Sequence, residues 1–429
     1  MAKDMITLTV NGKDFRGKKI QGKRGQTVLE VFRANGIQVP TLCYHPKMPP
    51  YGGCRLCIVE IENMRGLPPS CTTPATDGRI VNTHSEKVVQ VRKTVLELLL
   101  AYGDHNCLFC EQSGNCELQN LVYEHGIEKT RFQTTFVPKP KDDTNPFIIR
   151  DQSKCVLCGR CIRVCESLHF TNILTYARRG SQTRVDTNFG RTHLEAGCSF
   201  CGACIDACPT GALWEKTRKW YGAPDGEVAS VCPFCSLGCE IRLVHKNGSV
   251  IGALPGEGLP ALCVKGRFGV PELVNHPDRL KDVLHVSAGE AVKSDWNEAS
   301  RLAAEVLSGC APDDFALIVS ANCSSEDFYV ANKFTRQVMR SAPVYLSAAA
   351  RYRGGGQASA RLLALSQPLE ALESADLIFC LGLDAQYYQS VVEPRLRQAK
   401  ERGAKLLTIH AGEHVPGRFA DVWLQPQPF

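Results

Sequence analysis

Residues 6–10 (ITLTV) alternate apolar and polar side chains, which predicts a strand; Asn11-Gly12 predicts a hairpin turn and a second short strand after it. Residues 27–35 (TVLEVFRAN) have a helical apolar repeat stopped by Gly36, and 57–61 (CIVEI) and 79–82 (RIVN) return to strand character. Two strands, a helix and a return to sheet predict a small β-grasp-like domain. The clearest helix spans 85–102: Ser85 is an N-cap, and apolar residues recur at three- and four-residue steps from Val88 to Leu99. A Pro- and Lys-containing connector, 137–146 (VPKPKDDTNP), predicts a domain boundary, and 222–227 (GAPDGE) a further loop. Residues 241–244 and 250–253 predict two strands joined by a turn at Asn247-Gly248.

From Asp295 the period switches between helix and strand. Helices are expected at 295–307, 325–339, 369–373 and 393–402, and strands at 315–320, 344–347, 376–382 and 405–410, with a last apolar piece at 420–424. Strands that read as unalternating apolar runs between helices predict a buried, parallel α/β sheet.

Composition adds a constraint. A chain of 429 residues suggests three or more domains, and 44% apolar residues suffice for their cores. The net charge of +6 is mild for this length and gives no case for nucleic acid. The basic run Lys13, Arg16, Lys18, Lys19, Lys23 and Arg24 reads first as a solvated face, then as a docking face for an acidic redox partner. Residues 1–15 contain no apolar leader core, and the longest apolar runs fall far short of the roughly 18 residues of a membrane span, so a cytoplasmic location is expected. Under reducing conditions 22 cysteines imply metal ligation rather than disulfides.

The cysteines fall into runs. KCVLCGRCIRVCES and GCSFCGACIDACPTGAL, within 154–213, each repeat C-x2-C-x2-C-x3-C, the spacing of a ferredoxin with two [4Fe–4S] clusters. In such ferredoxins the fourth cysteine of each run crosses to the other cluster. That groups Cys155, Cys158, Cys161 with Cys208, and Cys198, Cys201, Cys204 with Cys165. Upstream, Cys43, Cys54, Cys57 and Cys71 in C-x10-C-x2-C-x13-C order suit a [2Fe–2S] cluster, with zinc as the alternative. Cys54 and Cys57 sit in GGCRLC, where glycines let backbone amides approach sulfur. Cys107, Cys110 and Cys116 supply three thiolates, and His105 is the candidate fourth ligand of a [4Fe–4S] cluster or else a surface residue. An imidazole in place of a thiolate adds no negative charge and raises the reduction potential. Cys232, Cys235, Cys239 and Cys263 fit a further cube or a zinc site, with the 241–253 hairpin bringing Cys263 back. Cys310, Cys323 and Cys380 have no such pattern, and Cys380 reads as a core hydrophobe. Gly354-Gly355-Gly356 reads as a loop rather than a phosphate cradle.

In chain order these motifs resemble the large iron–sulfur (G) subunit of NADH:quinone oxidoreductase, complex I, over essentially the whole chain. They are also similar to the equivalent subunits of soluble NAD-linked hydrogenases and formate dehydrogenases. The segment CVKGRFG, with VNHPDRL and a helix from Trp296, is similar to the start of a molybdopterin-oxidoreductase module. The resemblance implies a multidomain fold, α+β then α/β. It comprises a β-grasp [2Fe–2S] domain (1–84), a His/Cys [4Fe–4S] segment (85–140), a two-[4Fe–4S] ferredoxin-like domain (141–222), a molybdopterin-oxidoreductase-type [4Fe–4S] domain (223–285) and a truncated α/β domain without an active site (286–429). The family histidine stands four residues before its first cysteine, where this chain has Gly103. The complete eight-cysteine module resembles the hydrogenase and formate dehydrogenase branch. Where catalytic relatives offer a metal ligand, SAAARYRGGG has no cysteine, and Lys265 occupies the position that lies between cluster and pterin in those relatives.

The implied protein is a non-catalytic electron-wiring subunit with one [2Fe–2S] and four [4Fe–4S] clusters and no molybdopterin. FMN and NAD(H) or NADP(H) would reside on a flavin subunit, with a small [2Fe–2S] subunit beside it. A hydrogenase, a formate dehydrogenase or a ferredoxin site would lie at the far end. The alternatives are a reduced-size molybdopterin catalytic subunit and a respiratory complex I subunit.

Overall fold

The computed structural model describes residues 4–133, 141–218, 220–287, 289–320, 322–341, 344–346 and 365–427. The Gly354-Gly355-Gly356 loop and the SAAARYRGGG segment lie outside these residues, as does the first part of the 137–146 connector.

The N-terminal unit is a four-stranded sheet of order β2-β1-β4-β3, made of β1 (Met5–Asn11), β2 (Lys18–Lys23), β3 (Glu60–Ile61) and β4 (Ile80–Asn82), with α1 (Val28–Ala34) packed on it. Strands β1 and β2 are antiparallel, while β1 and β4 are parallel. Alternation in β1 sends Ile6, Leu8 and Val10 into a core shared with Val28, Leu29, Val31 and Phe32 of α1. Thr27 caps α1 in a reciprocal capping box with Glu30. Two expectations change here. Asn11 ends β1 instead of turning, and residues 12–17 form a longer loop. The strand expected over 57–61 shrinks to Glu60–Ile61, because the Cys57 carbonyl accepts instead from the amide and hydroxyl of Ser70. The six basic side chains from Lys13 to Arg24 are all exposed.

Helix α2 (Glu86–Ala101), capped by Ser85, leads through a loop to α3 (Glu117–Glu124). The central unit holds a three-stranded sheet of β5 (Lys141–Asp142), β6 (Ile148–Asp151) and β9 (Leu213–Glu215), and a hairpin of β7 (Leu174–Ala177) and β8 (Arg184–Thr187). Between them lie α4 (Arg160–Ser167) and α5 (Ala203–Asp206). Residues 141–142 of the expected connector are therefore a sheet edge, paired with β6. A third unit is the meander β10 (Gly226–Val231), β11 (Glu240–Lys246) and β12 (Ser249–Pro255), followed by α6 (Val270–Asn275). The expected Asn247-Gly248 turn forms with both residues left-handed, φ 49° and 75°. Strand β10 begins inside the loop expected at 222–227.

The last part contains the hairpin β13 (Val283–Ser287) and β14 (Glu290–Ser294), α7 (Trp296–Ser308) capped by Asp295, β15 (Leu317–Val319), α8 (Ser325–Lys333) and β16 (Val344–Leu346). It ends with β17 (Leu377–Leu381), α9 (Glu393–Glu401), β18 (Lys405–Ile409) and β19 (Val422–Leu424). Pairing is parallel, as expected, within β15–β16 and within β17–β18–β19, which form separate sheets among the described residues. These strands are not buried on both faces. In β17, Ile378 and Cys380 enter a core with Leu396 and Leu406, while Leu377, Phe379 and Leu381 face outward.

Candidate metal centres

The first cysteine set lies in the loops between α1 and β4. Left-handed backbone at Gly52 (φ 69°) and Arg55 (φ 58°) folds this loop back on itself. The amide of Cys54 then donates to Cys43 Sγ, and that of Leu42 to Cys54 Sγ, each at 3.4 Å. The four thiols form two close pairs. Cys43 is drawn down to about 6 chiefly by the Cys54 thiol donating to it, and Cys57 to about 7 by the Cys71 thiol; both donors are raised by the same bonds and by burial. Two thiol pairs side by side suit the two irons of a [2Fe–2S] rhomb, two sulfurs to each iron.

His105, Cys107, Cys110 and Cys116 line one cavity, with Lys154, Thr210 and Gly211 on its far wall. His105 is the displaced histidine, yet the loop brings its ring to the three thiols. Its Nε2 lies 3.1 Å from the Leu99 carbonyl, so that nitrogen carries the proton and Nδ1 keeps its lone pair. That is the arrangement of a ligating imidazole fixed by a backbone carbonyl. Burial holds the ring pKa below its usual value, favouring the neutral form that can ligate.

The eight-cysteine run divides between two cavities in the crossed manner. Cys155, Cys158, Cys161 and Cys208 line one, and Cys165, Cys198, Cys201 and Cys204 the other. Helix α4 carries Cys161 and Cys165, one for each cavity; α5 carries Cys204 and leads directly to Cys208. The two loops repeat one conformation: Leu157 and Phe200 have φ 52° and 53°, and Gly159 and Gly202 φ 73° and 75°. This turns the amide of Leu157 onto Cys155 Sγ and that of Phe200 onto Cys198 Sγ, each at 3.4 Å. A methyl group on Gly202 would lie 2.4 Å from Arg267 Nε, so the close approach requires glycine. Burial raises Cys158 and Cys198 to about 12 and pushes Cys161 and Cys204 well above the ordinary thiol range. When free, these four thiols are protonated, so ligation of a metal cluster displaces protons from them.

Cys232 and Cys239 flank the turn between β10 and β11, and the amide of Cys232 donates to the Cys239 carbonyl at 2.9 Å. The hairpin returns the chain so that Cys263 joins them, and Cys235 completes a mutually interacting set. Burial raises Cys239 to about 12. Cys380 is a buried core thiol, as expected, and the Cys310 thiol lies 3.7 Å from the Val306 carbonyl. Among the described residues no three such side chains are set for a single metal ion. The fit to clusters rests on the groupings, the sulfur-directed amides and the buried cavity walls.

Three further residues join these sites. Arg163, on α4, donates to the Pro49 carbonyl at 2.9 Å and to the Cys43 carbonyl, so the helix carrying Cys161 and Cys165 grips the first cysteine loop. Pro209, next to Cys208, has its carbonyl 3.6 Å from Cys116 Sγ. Arg267, fully buried, donates its backbone amide to the Cys263 carbonyl at 2.9 Å, and its guanidinium ion-pairs with Asp206 at 2.8 Å and Glu215 at 3.2 Å. Burial works against its charge, but the two carboxylates hold its pKa above the ordinary value. Beyond the last set, Lys265 Nζ stands 5.0 Å over the ring of Tyr388, whose hydroxyl bonds to Cys235.

Buried cysteine sets joined by such contacts define a chain built of consecutive iron–sulfur cluster domains. Residues 3–86 match the 2Fe-2S iron-sulfur cluster binding domain, 92–131 the NADH-ubiquinone oxidoreductase-G iron-sulfur binding region and 154–212 the 4Fe-4S dicluster domain. Residues 226–276 match the molybdopterin oxidoreductase Fe4S4 domain, and 279–429 molybdopterin oxidoreductase. The NADPH-Fe(3+) oxidoreductase subunit alpha of Geobacter sulfurreducens is 31% identical over 99% of this chain and 50% of its own length. A G-type NADH-quinone oxidoreductase subunit of Rhizobium meliloti is 30% identical over 95% of this chain and 48% of its own. The NADP-reducing hydrogenase subunit HndD of Solidesulfovibrio fructosivorans is 37% identical over 50% of this chain and 37% of its own. The chain thus carries the domain set of the G-type subunits of NADH-quinone oxidoreductases and is homologous to those subunits and to a hydrogenase subunit. It spans about half the length of the first two relatives. Among the described residues no helix is long and apolar enough to cross a membrane.

Proposed function

We propose that this chain conducts electrons within a multisubunit NAD(P)H-linked oxidoreductase and carries out no substrate chemistry of its own. The observation that carries the reading is the crossed division of eight cysteines into two adjoining cavities, with further cysteine sets linked to them by Arg163, Pro209 and Arg267. Cys43, Cys54, Cys57 and Cys71 would hold a [2Fe–2S] cluster. Four [4Fe–4S] clusters would be held by His105 with Cys107, Cys110 and Cys116; by Cys155, Cys158, Cys161 and Cys208; by Cys165, Cys198, Cys201 and Cys204; and by Cys232, Cys235, Cys239 and Cys263. Such clusters supply one-electron redox steps at potentials tuned by ligand type, charge and hydrogen bonds to sulfur. The residues of the chain bury the clusters, direct amides at sulfur and place charged groups such as Arg267 between neighbouring sites.

Splitting a hydride into single electrons requires a flavin, placed here on a partner subunit with the NAD(P)H site and a small [2Fe–2S] subunit beside it. A hydrogenase, a formate dehydrogenase or a ferredoxin site would terminate the line. The five-part division at residues 84, 140, 222 and 285, the cytoplasmic location and the absence of molybdopterin belong to the same reading. Placement in a respiratory complex I is the alternative within the electron-conducting class. A molybdopterin-binding catalytic role is the second reading, favoured by the match over 279–429 and by Lys265, which follows Cys263 closely and stands over the ring of Tyr388.

The test is anaerobic isolation of the native complex, identification of its subunits and assay for molybdenum or tungsten. Co-purification with a flavoprotein that reduces this chain from NADH or NADPH, without either metal, is expected. A protein that is monomeric in the cell overturns the proposal, and stoichiometric molybdenum or tungsten establishes the second reading.

A further inference from the structure

One side chain in the wall of the Cys165, Cys198, Cys201 and Cys204 cavity has no role in ligation. His193 is buried and lines this cavity, and neither Nδ1 nor Nε2 has a hydrogen-bond partner. A buried imidazole with both nitrogens unpaired carries a desolvation penalty that calls for a partner. Its backbone carbonyl accepts from the Cys198 amide at 2.9 Å, which ties the residue to one of the four thiols. The charged groups nearby do not bond the ring. Arg150 donates to Asp142 at 2.9 Å and to Asp186 at 3.0 Å, and Arg184 bonds to Asp186 at 2.8 Å. A neutral imidazole carries one N–H and its cation two, so the ring has a donor to offer in either state.

The neighbouring groups differ. His169 lines the same cavity, but its ring bonds to the backbone of Pro260, leaving Nε2 as the unpartnered nitrogen. A carbonyl only accepts, so the proton of neutral His169 sits on Nδ1 and its Nε2 offers a lone pair. In the sister cavity the side-chain amide of Gln152 donates to the Val185 carbonyl. The imidazole with neither nitrogen bonded therefore lines one cavity of the pair.

We propose that His193 donates its ring N–H to a sulfur of the [4Fe–4S] cluster held by Cys165, Cys198, Cys201 and Cys204, and so raises that cluster's reduction potential. The inference rests on the cluster reading above. The reduced cluster carries one more negative charge than the oxidised one, and an N–H donor stabilises the more negative form more strongly. The electron comes from the adjoining redox centre, and the proton stays on the ring.

The test uses the full chain, purified anaerobically, with redox titration followed by electron paramagnetic resonance; the signal is assigned by its loss in a Cys198→Ala variant. His193→Leu is expected to lower the reduced-to-oxidised ratio at the wild-type midpoint about tenfold, a shift of about 59 mV for one electron. The other midpoints stay in place, and His193→Gln, which keeps an N–H donor, recovers most of the shift. Pulsed resonance on the wild type, with and without 15N-histidine, is expected to show a weak nitrogen coupling. An unmoved midpoint in His193→Leu with the cluster intact overturns this inference alone, as does a coupling strong enough for nitrogen bound to iron. Absence of any cluster signal that depends on Cys198 overturns the cluster reading and this inference together. If His193→Leu fails to fold, the wild-type coupling and the His193→Gln midpoint still decide.

Discussion

Arg92 offers a direct test of how the scaffold retains its first cluster. It lies in α2, is 1% exposed, and donates from Nε to the Leu56 carbonyl at 3.0 Å and from a terminal nitrogen to the Ile58 carbonyl at 2.8 Å. These carbonyls flank Cys57, so one guanidinium clamps the chain on both sides of a ligand. Burial draws the arginine down to about 10, a desolvation cost of roughly 3 kcal/mol. Arg92→Met keeps most of the packing and removes two charge-assisted hydrogen bonds of about 1.5–3 kcal/mol each. Setting the relieved desolvation of roughly 3 kcal/mol against a loss of about 3–6 kcal/mol leaves a mid-range local destabilisation of about 1.5 kcal/mol, or roughly tenfold in the opening equilibrium of the loop. In an anaerobic challenge with an iron chelator, the [2Fe–2S] resonance of the variant is expected to decay about tenfold faster than in the wild type. The [4Fe–4S] signals should decay at wild-type rates. Equal decay of the [2Fe–2S] signal in both proteins, or equal acceleration of every cluster, would refute the clamp.

Other predictions follow from single sites. His105→Cys is expected to retain its cluster and lower the potential, because a thiolate adds a negative charge that imidazole lacks; an unmoved midpoint in redox titration would count against ligation by His105. Joint replacement of Cys310, Cys323 and Cys380 by alanine should leave the iron content per chain unchanged, and lost iron would place one of them at a cluster. Asp421 accepts from Lys400 and from the Leu406 amide, each at 2.7 Å, and these bonds depress its pKa to about 2. Its stabilising contribution is present above its unfolded pKa of about 4 and is lost as pH falls through about 2. Acid unfolding followed by Trp423 emission should lose that component in Asp421→Asn, and an unchanged acid profile would contradict it.

Local signals were the most legible in the sequence. Ser85 caps its helix as the sequence reads, and Thr27 and Asp295, read as first helical residues, prove to be caps; a cap needs only residues two or three positions away. The cysteine groupings were legible for a similar reason: tight turns at Leu157, Gly159, Phe200 and Gly202 convert spacing into convergence. Failures came where another partner took the backbone. Asn11-Gly12 reads as a turn, yet Asn11 stays in β1 beside β4, paired with Asn82. Residues 57–59 read as strand, but Ser70 claims the Cys57 carbonyl. The apolar run of β17 reads as doubly buried, yet it presents Leu377, Phe379 and Leu381 outward, since run length cannot say which faces are covered. Arg163 meets Cys43 across 120 residues and Arg267 meets Asp206 across 61, separations at which only the fold creates the pair. His193 carried no sequence signal, because an unpaired imidazole is defined by its surroundings.

The proposed function requires one [2Fe–2S] and four [4Fe–4S] clusters on the side chains that the loops of this chain bring together. Metal analysis of the anaerobically purified full-length chain, combined with a reductive titration followed by electron paramagnetic resonance, tests it most directly. About eighteen irons per chain and five reducible centres are expected. Zinc in place of iron, with no reducible centre, would contradict it.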